Sequence, residues 1–292
     1  MTAGPPARAR RPGSVRGGML LRHLAALAVT AFALLPIVFV LSAALNPLGT
    51  LDSTTVLPAG AGLGNARKLF ATTHFWTWYR NSVTVSALTA ALSLAVSALG
   101  AYAFSRHRFR GRRAGLVGLL VIQAFPQFLA IVPLYAVFSV ISDNWPAFGL
   151  NSVWGVTLLY IGGQVGVNTW LMKGFFDSIP RELDDAMLID GCTHHQAFRR
   201  VILPLAAPVL AISALLVFIA TINEFLIASV FLTGDGQRTL AVGLYGLIAG
   251  ERNSSFGMFA VGTLLTAVPT VLLFQFLQRY IVHGLTAGSV KG

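Results

Sequence analysis

Residues 177–208 read DSIPRELDDAMLIDGCTHHQAFRRVILPLAAP. The stretch is too polar to lie in hydrocarbon and too patterned to be a plain linker. Ser178 and Pro180 are good helix starters, and Glu182, Asp184 and Asp185 put negative charge into the first turns, where a helix dipole favours it. Gly191 is placed to end that helix in a left-handed turn, which only glycine enters freely, and a bulkier residue there is expected to add a clash. Thr193 and Gln196 form the pattern T-x-x-Q, a capping box that starts a second helix. Pro204 then opens an apolar run. The spacing predicts a helix, a glycine turn and a helix: a compact knob over 177–202.

Everything around the knob is apolar. Of the 292 residues, 55% are hydrophobic and 11% charged, against about 25% charged in ordinary soluble chains. A membrane crossing takes about 20 apolar residues. Six runs qualify, at about 20–45, 81–105, 115–141, 152–175, 203–232 and 257–282. Each is expected to be helical, because a backbone in lipid must satisfy its own polar groups. The predicted fold is therefore all-α, a polytopic membrane protein with six transmembrane helices. The 20–45 run is longer than the apolar core of a signal peptide, roughly 7–15 residues, and is read as the first span. Ala87, Ala91, Ala95 and Ala98 mark the second span for close helix packing. Pro126 and Pro133 predict a kink or break in the third.

The net charge is +11. Its basic residues sit in short clusters between apolar runs, with no aromatic-rich basic face, which argues against nucleic acid. Sixteen Lys and Arg fall on the side of the N-terminus and the knob, and five (Arg67, Lys68, Arg80, Arg238, Arg252) on the other. That bias predicts both termini in the cytoplasm. Arg106, Arg108, Arg110, Arg112 and Arg113 read as a topology anchor on anionic lipid. Residues 1–18 are predicted to be a disordered basic tail, and 283–292 a cytoplasmic C-terminal tail.

No catalytic constellation is present: no phosphate-binding G-x-x-x-x-G-K-[ST], no nucleophile elbow, no H-E-x-x-H. The lone Cys192 excludes an internal disulfide, and adjacent His194 and His195 diverge by about 100° on a helix, so no metal site is expected. Glu224 is the only acidic residue well inside an apolar run. It reads either as a paired structural group or as part of a polar path with Asn223 and Thr221. Gln123, Gln127, Gln164 and Asn168 have two readings, helix–helix hydrogen bonding or contact with a polar solute.

The knob also resembles a known family. Binding-protein-dependent importer permeases of the ATP-binding-cassette class carry a loop written EAA, three residues, G, nine residues, I-x-L-P. Here Asp185-Ala186-Met187 stands for EAA, then Gly191, then Val201-Ile202-Leu203-Pro204. The departures, Asp for Glu, Met for Ala and Val for Ile, keep charge or apolarity. Thr239-Leu240-Ala241-Val242-Gly243, Val132-Pro133-Leu134-Tyr135-Ala136 and the ending from His283 to Gly292 resemble the smaller membrane subunit of maltose/maltodextrin importers. The resemblance implies a bacterial inner-membrane permease for a maltose-like sugar, with trehalose or another sugar as alternatives. It implies a second permease subunit, a dimer of ATP-binding subunits and an extracytoplasmic sugar-binding protein. ATP and Mg would sit on the ATPase, with no cofactor on this chain. Glu182, Asp185, Ala186, Gly191, Leu203 and Pro204 would form the ATPase-coupling element. Gln123, Gln127, Gln164, Asn168, Asn223 and Glu224 become path candidates suited to sugar hydroxyls, though the larger partner subunit is implied to supply most sugar contacts. In the outer loop 248–256, Gly250, Asn253 and Ser254 are candidates for touching the binding protein. An ion-coupled secondary transporter is the rival class, and it leaves the patterned loop unexplained.

Overall fold

The computed structural model describes residues 13–50, 55, 60–249 and 255–287, with side chains described outside 13–18 and 282–287. Among the described residues there is no strand. The helices are α1 (Gly13–Leu45), α2 (Gly64–Thr72), α3 (Phe75–Arg106), α4 (Arg112–Ala124), α5 (Ile131–Asn144), α6 (Val153–Ser178), α7 (Glu182–Ile189), α8 (His194–Ala197), α9 (Leu203–Leu205), α10 (Ala207–Ile222), α11 (Leu226–Phe231), α12 (Leu240–Ile248) and α13 (Phe256–Ala287). α1 starts at Gly13, inside the stretch expected to be a tail, and α13 runs to Ala287, inside the expected C-terminal tail.

α3 is the central helix and packs chiefly on α6 and α10. The expected alanine face is not the one it uses. Ala87, Ala91 and Ala95 are exposed, and only Ala98 is buried. The inward stripe is Ser82, Ser86, Thr89, Ser93 and Ser97. Small hydroxyl residues allow the same close approach as alanine and also satisfy carbonyls: Ser97 donates to the Val165 carbonyl across the interface at 3.3 Å.

Among the described residues, four helical segments are long and apolar enough to cross a membrane, 19–45, 75–106, 127–144 and 256–281, and five are if one bent pair counts as a span. The six expected spans therefore map unevenly. The third, 115–141, is broken: α4 stops at Ala124, a tight turn covers Gln127–Ala130, and α5 starts at Ile131. Pro126 lacks the amide that would continue α4. The fourth coincides with α6, 26 residues long and diluted by Gln164 and Asn168. The fifth expected span covers 203–232. In the structure it starts at Ala207, and the preceding 194–205 segment lies bent from it by 74°. At its far end α10 stops at Ile222 and α11 resumes at Leu226.

The end of the molecule opposite the knob is tied by polar side chains. The Asn81 amide donates to the carbonyls of Gly236 and Arg238, at 3.0 and 3.1 Å, and the Trp78 indole donates to Asp235. Asn151 Oδ1 accepts from the amides of Thr233 and Gly234. These bonds hold the α11–α12 connection against α3 and α6.

Candidate functional site

The knob forms as its sequence dictates, with one shift at its start. Ser178 belongs to the last turn of α6, where its hydroxyl donates to the Phe175 carbonyl, and α7 begins at Glu182 without a side-chain cap. α7 ends in the glycine turn. Gly191 has φ 81°, its amide donates to Leu188 at 3.0 Å, and the Cys192 amide reaches Met187 at 2.9 Å. That pair of bonds is a Schellman closure. A Cβ at Gly191 would meet nothing within 4 Å, so the first carbon of a side chain has room there. The constraint that the structure shows there is backbone conformation. Thr193 then caps α8: its hydroxyl accepts from the Gln196 amide at 3.3 Å, and Gln196 Oε1 accepts from the Thr193 amide at 2.7 Å.

Past α8 the chain widens to a π-turn over Phe198–Ile202, with the Leu203 amide donating to Phe198. Pro204 has no amide to give, which favours such a shift in the ladder. Phe198 and Ile202 plug into Ala98, Ala101, Tyr102, Met172 and Phe176, so the knob shares a core with α3 and α6. Leu203 packs at the edge of that core and Pro204 is exposed. On α7, Glu182, Asp185 and Ala186 are all exposed, and so is Ile189, at 86%.

A buried ion pair ties the knob to α3. Arg106 Nε lies 2.9 Å from Asp184 Oδ2, with both side chains about nine-tenths buried. The N–H is not aimed along a hydrogen-bond direction, so this contact is chiefly charge against charge. Two arginines cross between the segments: Arg106 donates to the Ile179 carbonyl and Arg181 to the Ser105 carbonyl, each at 3.0 Å. Ser105 donates to Asp177 at 2.7 Å, and Lys173 pairs with the other Asp177 oxygen at 2.5 Å. Burial pushes the Asp177 carboxyl up, but these two bonds and the charges of Lys173 and Arg112 outweigh it and hold it below the usual carboxylate range. Asp184 and Asp185 are neighbours in sequence and about 100° apart on the helix, so one faces inward and the other outward.

A second assembly lies among α4, α5, α6 and α10. Gln123, Gln127, Gln164 and Glu224 line one cavity of about 430 Å³ together with Tyr160 and Thr221. Among the described residues, no Lys or Arg lines it. The side-chain amides of the three glutamines make no hydrogen bond among the described residues, and the buried Thr221 hydroxyl has no partner there either. Gly163 and Gly166 make room for the amides: a Cβ at Gly163 would stand 3.0 Å from Gln127 Nε2, and one at Gly166 3.1 Å from Gln123 Oε1. Glu224 sits in the break between α10 and α11 and caps α11. Its carboxylate accepts from the amides of Ile227 and Ala228, at 2.8 and 3.0 Å, and from the Tyr160 hydroxyl.

Comparison with known proteins decides the family. The model for binding-protein-dependent transport system inner membrane components matches residues 96–286. The chain belongs to that family of importer permeases. The chain is 37% identical over 297 residues to the maltose/maltodextrin transport system permease protein MalG of Yersinia pestis, spanning 97% of this chain and 96% of the relative. It is 38% identical to the galactooligosaccharides transport system permease protein GanQ of Bacillus subtilis (strain 168), over 88% and 90% of the two chains. The fold matches a crystal structure of a bacterial ABC transporter involved in the import of the acidic polysaccharide alginate, with TM-score 0.73 and 23% identity over 94% of this chain and 99% of that one. The chain is thus an inner-membrane permease of an ABC importer.

The permease brings four of its six path candidates into one cavity and leaves two outside. Asn168 is buried, its amide donating to the Gln164 carbonyl at 2.9 Å. Asn223 donates to the Ile219 carbonyl and lines a separate cavity among α10, α12 and α13. Gly250, Asn253 and Ser254 lie outside the described residues. The sequence alone does not single out Tyr160, whereas Thr221, read with Asn223 as a path residue beside Glu224, does line the cavity. Tyr160 had a signal, standing one helical turn before Gln164. Arg106 and Asp184 had none, being 78 positions apart and each looking like one charge in a solvated cluster.

Proposed function

We propose that this permease forms half of the translocation path for a neutral, maltose-like disaccharide or oligosaccharide. It would act with a second permease subunit, a dimer of ATP-binding subunits docked on the knob and an extracytoplasmic sugar-binding protein. The observation that carries the substrate class is the cavity. Three unpaired amides offer donors and acceptors together, which suits sugar hydroxyls. The lining has a carboxylate and no cation, which disfavours an acidic saccharide such as alginate. ATP and Mg belong on the docked subunits. The exposed Leu183 and Ile189 beside Glu182 and Asp185 give the knob an apolar tip with an acidic flank to seat in a partner cleft.

The test is uptake by the reconstituted importer over a panel of neutral and uronate oligosaccharides. Neutral α-glucans are expected to be carried and uronates not; the reverse preference removes the substrate reading. Gln123→Leu, Gln127→Leu and Gln164→Leu should each lower sugar transport by about 2- to 10-fold, the worth of one hydrogen bond, while subunit assembly stays normal. Unchanged transport in all three would mean that the cavity is not the path.

Glu224→Gln should behave differently. The glutamine carbonyl oxygen can still accept from Ile227 or Ala228, so α11 keeps part of its cap and transport should stay within about threefold of the parent. Glu224→Ala, which removes both acceptors, should cost more. An uptake driven by an ion gradient and abolished by Glu224→Gln would contradict the reading.

Orientation has its own test. In a background with Cys192→Ser, cysteines at Arg110 and Asp143, both exposed, should label from opposite sides, with Arg110→Cys protected from outside. Labelling of both from outside would overturn the six-crossing topology with cytoplasmic termini.

A further inference from the structure

The first turn of α4 runs against electrostatic preference. Arg112 and Arg113 occupy it and no acidic residue does, although the N-terminal end of a helix carries partial positive charge. Both arginines lack an ion-pair partner among the described residues. They line one cavity of about 450 Å³ with Lys173 of α6, and Phe109 and Leu116 are among its apolar walls. Arg112 is fixed in place by donation from Nε to the Phe104 carbonyl at 2.6 Å. The carboxylate beside the group is Asp177, which is already bonded to Lys173 and Ser105 and is not a wall of the cavity. Three cations against one committed anion leave an uncompensated positive charge on a cavity with an apolar floor. From this cavity α4 continues with an exposed apolar surface of Val117, Leu120 and Val121.

We propose that this cavity binds the phosphate headgroup of an anionic phospholipid, whose acyl chains lie along the exposed face of α4. Guanidinium groups match phosphate oxygens in paired hydrogen bonds, and Lys173 adds a point charge. A free phosphate would satisfy the cations but not the apolar walls or the track that follows them. The position also fits, since loop 107–111 is the polar joint between two apolar segments, where headgroups lie. The bound headgroup would cover the α4–α6 joint next to the Asp177–Ser105 bond, and so stand beside the network that holds the knob.

The experiment is native mass spectrometry of the permease with the subunits that co-purify with it, in detergent, after exposure to phosphatidylglycerol or phosphatidylcholine. Retention in detergent is read without reference to membrane side or sugar, so it fails or succeeds independently of the proposed function. Phosphatidylglycerol should be retained and phosphatidylcholine not. R112Q/R113Q should lower retention roughly 30-fold, while R108Q/R110Q, which removes the same charge from exposed positions outside the cavity, should lower it far less. If the double variant does not assemble, R113Q alone, at an exposed residue, should still lower retention. Equal losses in the two double variants, equal retention of the two lipids, or displacement of the lipid by millimolar inorganic phosphate would each overturn the assignment.

Discussion

Gly191→Val should leave the permease inserted in the membrane and abolish the response of ATP hydrolysis to sugar-loaded binding protein. Insertion depends on apolar runs that the change does not touch. The turn depends on φ 81° at Gly191, which lets the amides of Gly191 and Cys192 close α7. A side chain in that region costs about 1–2 kcal/mol from the backbone alone, and a β-branched one is the least tolerant. α7 has eight residues, so it has little else to resist unwinding once its closure is strained. A Cβ would meet nothing within 4 Å, so the strain begins in the backbone. That distinction gives an internal control. Gly191→Asn, which enters the left-handed region more readily, should keep most of the stimulation. Pull-down of the ATP-binding subunits and stimulated turnover in proteoliposomes are the measurements. Normal assembly and stimulation in the valine variant would show that the knob's shape does not carry coupling.

Breaking the Arg106–Asp184 pair should do comparable damage from inside the protein. Removing one partner of a buried pair leaves the other charge uncompensated, at about 3–5 kcal/mol. Asp184→Asn is therefore expected to loosen the knob from α3, lower stimulated ATP turnover at least tenfold and raise protease sensitivity at 177–202, with little change in membrane insertion. Asp185→Asn, one residue away and exposed, should leave the knob's protease resistance unchanged. The reversal R106D/D184R should recover part of the loss. A reversal no better than R106D alone would show that the Arg106–Ile179 hydrogen bond, which both variants lack, holds the joint and the charges do not.

Both effects act on the same object from different directions, and they differ in how visible they were. The glycine turn and the capping box could be read directly, because each closes within five residues and its donors and acceptors are written in order along the chain. The apolar runs were visible for a similar reason: covering hydrocarbon is a matter of length and composition. Their breaks were half visible. Pro126 announced one, but nothing local announced the stop at Asn223–Phe225, where Glu224 turns inward to cap α11 and meet Tyr160 from another helix.

The sequence by itself determined an all-helical membrane chain, its family, and the form of the knob down to its turning residue. Only the tertiary structure decided which faces meet. It turned the serine stripe of α3 inward, with Ser97 on α6 and Ser82 on α12, and left Ala87, Ala91 and Ala95 outside, a choice the sequence leaves open because both sets are small and recur at helical spacing. It turned Asp184 to Arg106 and left Asp185 free. It also gathered Gln123, Gln127, Gln164 and Glu224 around one cavity while turning Asn168 and Asn223 back onto their own helices. Local hydrogen bonding and apolar length are fixed within a few residues, whereas the partner of a buried polar group depends on the rotation and bend of helices far apart in the chain.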